Sequence, residues 1–206
     1  MNEFVETLLD LPWQVGDPKP SYDVVIIGAG GAGLRAAIEA RSQGLRTAII
    51  TKSLFGKAHT VMAEGGVAAA LGNAEPGDRW ETHFQDTMYA GKYLNNWRMA
   101  ELHAREAPER VRELERWGGV FDRTDDGKLA QRAFGGHSHR RLVHIGDRTG
   151  QELLRTLQDR CVHADVDVFM ECTITHLLAR DGAVHGACGY WRATGEFVVF
   201  RAKAVV

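Results

Sequence analysis

The fold of this chain is decided at residues 22–33, which read YDVVIIGAGGAG. The first six residues are apolar and rich in β-branched side chains, a pattern that predicts a buried parallel strand. The glycines that follow give G-x-G-x-x-G at Gly28, Gly30 and Gly33. In this pattern the first glycine permits a tight turn, the second lets backbone approach a pyrophosphate, and the third lets a helix pack on the strand. The stretch therefore predicts a dinucleotide site.

The residues after the glycines supply the context that this fingerprint needs. Leu34 to Gln43 predicts a helix, and Gly44 is placed to end it. Arg46 to Thr51 predicts a second strand, which completes a βαβ opening. The helix N-terminus would offer N–H groups and the positive end of its dipole to phosphates. This context disfavours the alternative of a glycine-rich turn without a ligand.

The end of the second predicted strand bears on the choice of dinucleotide. A site for NAD usually carries Asp or Glu there, about 20 residues after the glycines, for the ribose hydroxyls. Here the chain reads Thr51-Lys52-Ser53, without an acid, which argues against NAD. Lys52 fits either a phosphate contact or a solvated surface lysine.

Composition excludes several classes of protein. The chain has 206 residues and a net charge of −2, which fits one large domain and no nucleic-acid partner. Its three cysteines show no paired metal spacing, so no metal site is expected, and their odd number does not suggest a disulfide framework. No apolar run approaches the ~20 residues of a membrane span. Residues 1–20 predict an N-terminal arm, followed by one domain at 21–206.

A segment of small residues follows the second predicted strand. Thr60 to Leu71 reads TVMAEGGVAAAL and is preceded directly by His59. Glycine and alanine place few atoms between backbone and ligand, so such a segment can lie flat against a planar ring, closest at Gly65-Gly66. The alternative interpretation is a packed junction between a helix and a loop.

The rest of the chain predicts further elements. Asn95 or Asn96 is expected to cap a helix from Trp97 to about Glu106. The other predictions are a helix from Pro108 to Trp117, a hairpin at 121–130, a helix capped by Thr149 and running to about Cys161, a strand at 166–170, a β-meander at 173–178, 184–191 and 197–201, and a resumed main-sheet strand from Ala202 to Val206.

From about Tyr22 to Val206 the chain resembles the flavoprotein subunits of succinate dehydrogenase and fumarate reductase, in particular actinobacterial ones. Ala58-His59-Thr60-Val61 with Glu64-Gly65-Gly66 is similar to the segment that links flavin in that family. Residues 131–136, QRAFGG, are similar to its QRPFGG motif. Residues 107–118 and the run DRTG at 147–150 match two of its helical segments.

This resemblance implies an α/β fold: a Rossmann-like FAD-binding domain of the two-dinucleotide-domain flavoprotein type with an inserted β-meander. It implies FAD as cofactor, held covalently through a bond from His59 to the flavin 8α position, and Phe134 packed over succinate or fumarate. It further implies partners, namely membrane-anchor subunits and an iron–sulfur subunit, with the protein at the cytoplasmic face of the membrane. The expected cofactor-binding residues are Gly28, Ala29, Gly30, Gly31, Ala32, Gly33, Thr51, Lys52, Ser53, His59, Thr60, Glu64, Gly65 and Gly66.

The sequence departs from the family pattern in three places. Ala133 replaces the usual proline, and residues 137–141, HSHRR, are more basic. That basic segment either faces an anionic ligand or, as we expect, is a solvated loop, while His144 is expected to be a packing histidine. The chain stops at Val206, before the capping domain, so we expect a truncated fragment that is inactive alone. Two other functions stay open: a soluble L-aspartate oxidase-type enzyme, and a non-catalytic FAD-binding remnant.

Overall fold

The computed structural model describes residues 22–206, together with Thr7. The predicted arm at 1–20 therefore lies outside the described residues, apart from Thr7. The described residues divide into two compact units. The first contains residues 22–58 and 157–206, and the second contains residues 59–156.

Strands and helices alternate along the described chain. In order they are β1 (Tyr22–Ile27), α1 (Gly31–Ser42), β2 (Thr47–Ile50), a 3-10 turn (His59–Met62), β3 (Val67–Ala68), α2 (Trp80–Ala90), α3 (Trp97–Arg116), β4 (Gln131–Arg132), β5 (Leu142–Val143), α4 (Thr149–His163), β6 (Asp167–Phe169), β7 (Cys172–Arg180), β8 (Ala183–Trp191) and β9 (Phe197–Val205).

The first unit is built on a six-stranded sheet of order β6-β2-β1-β9-β8-β7. β1 pairs in parallel with β2, where Val25 lies opposite Ala48, and β2 pairs in parallel with β6. Val25 and Ala48 are both fully buried, as expected of a central parallel sheet. The predicted βαβ opening and the α/β fold class are confirmed. Helix α1 begins at Gly31, three residues earlier than predicted.

The predicted meander is present, but it is joined to the main sheet differently from the prediction. β9 is one continuous strand. Phe197 pairs antiparallel with Tyr190 of β8, and further along Ala202 pairs in parallel with Tyr22 of β1. This pairing confirms the prediction that the main sheet resumes at Ala202, but the resumed strand continues the last strand of the meander instead of starting anew. No glycine or proline interrupts residues 197–205, so a single strand can satisfy the backbone groups of both neighbours.

The second unit contains the three-stranded sheet β3-β5-β4 and helices α2 and α3. The prediction of two helices meeting at Pro108 was wrong, because α3 runs without interruption through that proline. Its buried face consists of Ala100, Ala104, Ala107 and Val111, spaced four, three and four residues apart. This apolar stripe continues on both sides of Pro108, so burial of one face offsets the hydrogen bond that proline cannot donate. Helix α2 was not predicted.

Three smaller predictions can be compared with the structure. The Asn96 side chain accepts a hydrogen bond from the Met99 amide at 3.4 Å, which confirms the expected cap. Thr149 is the first residue of α4, and its hydroxyl accepts from the Ile145 amide at 3.3 Å, so it is not the cap that we expected. The predicted hairpin at 121–130 is confirmed: Arg123 and Leu129 form a β-bridge, and the Thr124 and Ala130 amides donate to the Lys128 and Asp122 carbonyls at 2.9 and 2.8 Å. Among the described helices, none is both long and apolar enough to cross a membrane.

Candidate functional site

The glycine turn of the first unit joins the end of β1 to the start of α1. Gly28 has a φ of +114°, a backbone conformation that favours glycine, and its amide donates to the Ile50 carbonyl at 2.8 Å. A Cβ built on Gly33 would overlap the Gly28 carbonyl oxygen. Helix α1 therefore lies directly against the turn, which is the arrangement that the third glycine of the fingerprint predicts.

The N-terminus of α1 has the chemistry of an anion site. Gly30 is the N-cap, in extended conformation, and no side chain caps the helix there. The first turn contains no acidic residue that would compete with an anion. Ala29 is buried, whereas Ala32 is exposed. Since a helix N-terminus presents N–H groups and a positive dipole end, these residues fit a pyrophosphate.

The segment after β2 is held by backbone contacts that the sequence did not indicate. The Thr51 amide donates to the Phe169 carbonyl at 2.9 Å, and the Cys172 amide donates to the Thr51 carbonyl at 3.0 Å. The Arg192 guanidinium donates to the Lys52 carbonyl at 2.9 Å. The Thr51 side chain is buried, and the Lys52 side chain is exposed. No local pattern predicts Arg192, because it lies 140 residues away.

In the second unit, the predicted flavin-facing segment runs from the 3-10 turn into β3. His59 opens the turn with an exposed side chain, and Glu64 is also exposed. A Cβ built on Gly65 would lie 3.2 Å from Cε2 of Phe134. The structure therefore brings Gly65 and Phe134 together, although they are distant in sequence. Phe134 is 58% exposed, so it is not the core aromatic that was the alternative interpretation.

Gly150, in the DRTG run, fixes the other side of the same turn. Its amide donates to the Ala63 carbonyl at 2.7 Å, and a Cβ on Gly150 would overlap the Thr60 carbonyl oxygen. The start of α4 therefore packs against the backbone of residues 60–63. A glycine at the second position of a helix was the sequence signal for this close approach.

Both side chains of strand β4 hold the small-residue segment, a role that was not predicted from the sequence for either of them. Gln131 donates to the Ala69 carbonyl at 2.8 Å and accepts from the Asn73 amide at 3.0 Å. Arg132 donates to the Gly65 carbonyl at 2.8 Å and to the Glu64 carbonyl at 2.5 Å. The signal available in the sequence was a pair of polar residues next to Phe134, inside an otherwise glycine-rich motif.

The expectation of a solvated basic loop at 137–141 was wrong for its last residue. Arg141 is fully buried, with its guanidinium 2.7 Å from Asp78 and 2.7 Å from Asp86. A buried cation requires such partners, because an unpaired charge in the interior is costly. His137 lies 3.2 Å from the same guanidinium, and its pKa is lowered by burial and by Arg141. The segment is anchored rather than free.

Two further histidines and two cysteines are buried or half-buried in the protein. Burial and the nearby Arg141 lower the pKa of His83 to about 4. His144 hydrogen-bonds the Leu142 carbonyl at 3.1 Å and lies 3.5 Å from Asp122, as expected of a packing histidine. Burial raises the pKa of the Cys161 thiol to about 12 and that of Cys172 to about 11. Within residues 22–206, no group of three or more His, Cys, Asp or Glu side chains is placed to hold a metal ion.

Two curated proteins are similar in sequence to this chain. A fumarate reductase (CoM/CoB) chain of Methanothermobacter marburgensis is 44% identical over 185 residues, which cover 89% of this chain and 34% of that protein. A mitochondrial succinate dehydrogenase (ubiquinone) flavoprotein of Xenopus laevis is 41% identical over 193 residues, 90% of this chain and 29% of that protein. The chain thus spans about a third of the length of these curated relatives.

Solved structures agree with this fold. The Mycobacterium smegmatis Sdh1 complex in the apo form matches with a TM-score of 0.88 and 61% identity, over 90% of this chain and 33% of that one. Quinol fumarate reductase of E. coli matches with a TM-score of 0.83 and 35% identity, over 90% of this chain and 32% of that one. The FAD binding domain family matches residues 23–206. With the fingerprint turn and its uncapped helix in place, the chain belongs to the FAD binding domain family, and its cofactor is FAD.

Proposed function

We propose that this chain is the FAD-binding part of a flavoprotein subunit of the succinate dehydrogenase and fumarate reductase type. The proposal is supported by relatives of both names at 41% and 44% identity. FAD, when bound, supplies a two-electron acceptor for hydride at the flavin ring. In flavoproteins of this type that chemistry interconverts succinate and fumarate.

The observation that carries this proposal is the packing of Phe134 on Gly65. Gly65 exposes backbone because it has no side chain, and the exposed ring of Phe134 lies next to it. A planar ligand on the glycine segment would therefore have a phenyl group at its edge. We assign the glycine segment to the flavin ring, and Phe134 to packing against a dicarboxylate and excluding water from it.

The other residues take the following roles in the proposal. The turn at 28–33 and the N-terminus of α1 hold the pyrophosphate. The backbone of residues 51–53, fixed by β6, β7 and Arg192, binds the adjoining nucleotide portion. Thr60, Glu64, Gly65 and Gly66 surround the flavin. We assign to His59 a covalent bond to the flavin 8α position, and its exposed side chain is open to a ligand.

Partners and location follow from the same assignment. Electrons leave the flavin for an iron–sulfur partner and then reach quinone through membrane-anchor subunits, which hold the flavoprotein at the cytoplasmic face of the membrane. The observation in favour is that the similar Mycobacterium smegmatis chain is part of an Sdh1 complex. Co-purification of an iron–sulfur protein with this flavoprotein from membranes tests this assignment, and isolation of the flavoprotein by itself would contradict it.

The flavin bond is tested by denaturing mass spectrometry of the protein from its native source. We expect an increment of one FAD that maps to the peptide containing His59. His59→Ala should remove the increment, whereas His163→Ala should keep it, because His163 is an exposed histidine whose ring bonds its own helix at the Asp159 carbonyl. Hydrogen peroxide formation with L-aspartate, and none of the succinate reaction, would instead favour the L-aspartate oxidase type. FAD that is released on denaturation, with neither reaction present, would favour the non-catalytic FAD-binding remnant.

A further inference from the structure

Arg132 lies in strand β4, two residues before Phe134, and its side chain faces residues 64–65. We infer that Arg132 is a positioning residue, whose guanidinium fixes the backbone of Glu64-Gly65-Gly66 and thereby the surface on which Phe134 packs. The ligand of that surface, a flavin ring, is taken from the proposed function. The positioning itself depends only on contacts within the second unit.

The hydrogen bonds of Arg132 account for each nitrogen of the guanidinium. Nε donates to the Gly65 carbonyl at 2.8 Å, and Nη2 donates to the Glu64 carbonyl at 2.5 Å. Nη1 donates to Asp147 at 3.0 Å. Two consecutive carbonyls are therefore held by one planar group, which orients the peptide unit between them. A lysine has one ammonium on a flexible stem and cannot reproduce this fork.

The segment needs such a support because it contains two glycines. Glycine loses more conformational freedom on ordering than any other residue, so an unsupported Gly65-Gly66 pair would sample many conformations. Strand β5, the neighbour of β3 in the sheet, adds a second restraint: Gly66 has a φ of +123°, and a Cβ there would lie 2.7 Å from the Val143 carbonyl oxygen. Arg132 and β5 thus both restrain the backbone of the glycine pair.

The same contacts argue against a direct role for Arg132 in binding an anionic ligand. Its charge is matched by Asp147, and its three nitrogens already have acceptors. Its side chain is 31% exposed. An arginine that serves a phosphate or a carboxylate presents its fork to the ligand, whereas this fork is directed at protein backbone. Loss of Arg132 should therefore alter the conformation of the glycine segment rather than remove a ligand contact.

The test compares Arg132→Lys and Arg132→Gln with Arg140→Lys. Arg140 is a matched control, because it too bonds a carboxylate, Glu75, and a backbone carbonyl, that of Ala74, away from the glycine segment. Hydrogen exchange is measured by mass spectrometry on the peptide covering residues 63–68. We expect exchange in Arg132→Gln to accelerate about tenfold, with Arg132→Lys between Gln and wild type and Arg140→Lys unchanged. Circular dichroism and thermal melting show that each variant folds.

Two readouts on the FAD-loaded protein complete the test. We expect Arg132→Gln to shift the visible absorption band of the flavin and to lower the fraction of covalent flavin at least threefold, with partial rescue by lysine. Unchanged exchange at residues 63–68 in both Arg132 variants would overturn the positioning role. If wild-type protein never carries covalent flavin but exchange accelerates as expected, the proposed His59 bond fails and the positioning role stands.

Discussion

The phenyl ring of Phe134 lies against Gly65, where a methyl group on the Gly65 Cα would come within 3.2 Å of Cε2 and 3.3 Å of Cζ. Through this pair the glycine segment contacts the QRAFGG motif, although the two residues are far apart in the sequence. Phe134 is 58% exposed, so much of its ring borders solvent. A small change at residue 65 should therefore move the ring without unfolding the protein.

The substitution Gly65→Ala tests this relationship. The added methyl group should displace the Phe134 ring and separate the backbone from a planar ligand, which we expect to weaken FAD binding about tenfold. Flavin fluorescence titration measures the dissociation constant. Gly135→Ala is the matched control, since a Cβ there meets nothing within 4 Å. Equal FAD affinity in Gly65→Ala and wild type would contradict the placement of flavin on this segment.

The third glycine of the fingerprint supports a different prediction. A Cβ at position 33 would overlap the Gly28 carbonyl oxygen, so Gly33→Ala must move α1 away from the turn. We expect a loss of about 1–3 kcal/mol in the free energy of unfolding, as is typical of overpacking, together with loss of FAD binding. Urea unfolding and FAD titration measure the two effects. Gly77→Ala, where a Cβ meets no atom within 4 Å, should change neither; a stable, FAD-binding Gly33→Ala would disprove the close approach.

The buried ion pairs of Arg141 should dominate the stability of the second unit. Replacing Arg141 with Met leaves Asp78 and Asp86 without their cation, and Asp78 is almost fully buried. Removal of one partner from a buried pair costs about 3–5 kcal/mol, which urea unfolding would detect. Arg140→Met is the control, because the Arg140–Glu75 pair is largely exposed and worth at most about 1 kcal/mol. Similar losses in the two variants would show that burial does not set the cost.

Acid should destabilise the protein through His83. Its pKa is lowered to about 4 by burial and by the nearby Arg141, His103 and His137, with Asp86 acting in the opposite direction. An unfolded histidine titrates near pH ~6.5, so as pH falls the unfolded chain binds a proton before the folded protein does. The contribution of neutral His83 is therefore complete above pH ~6.5 and is lost between that pH and 4, up to about 3 kcal/mol.

Urea unfolding at several pH values from about 7.5 to about 4 measures this dependence. The matched variant is His83→Gln, which lacks the titrating group but keeps a polar side chain at the buried position. We expect its unfolding free energy to fall less with acid than that of wild type, while the lowered pKa of His137 still contributes in both proteins. Parallel pH profiles for the two proteins would refute the assignment to His83.

The strands and the glycine turn of the first unit could be predicted from the sequence, because the patterns that specify them span only a few residues. The β-branched run, the glycine spacing and the alternation of residues 173–201 each act within a few positions; the structure places strands at the first and the third, and the turn from β1 into α1 at the glycines. Errors arose where a distant contact decided the outcome. Helix α3 continues through Pro108 because its buried alanine face packs on the rest of the second unit. Strand β9 continues past Arg201 because its residues from Ala202 onward pair with β1.

In the candidate site, too, short sequence patterns could be predicted, whereas contacts between distant residues could not. The glycine positions could be read from the chain, since a glycine fingerprint has a fixed spacing set by one turn, and His59 could be named from the motif around it. The residues that hold the site could not. Arg132 bonds the Gly65 carbonyl 67 positions away, Arg141 bonds Asp78 63 positions away, and Arg192 bonds the Lys52 carbonyl 140 positions away. Nothing near these arginines in the sequence marks which of them will be buried or which partner it will meet.

The sequence by itself therefore determined the class of fold, the FAD-binding fingerprint and the small-residue segment, because strand periodicity, glycine geometry and helix dipoles act over one or two turns of chain. Only the tertiary structure decided that β9 pairs with both β8 and β1. It also decided that Phe134 packs against Gly65 and that Arg132 holds the glycine backbone. The physical reason is that hydrogen bonds and packing contacts between distant segments depend on where folding brings them, and many arginines and glycines in one chain satisfy the same local rules.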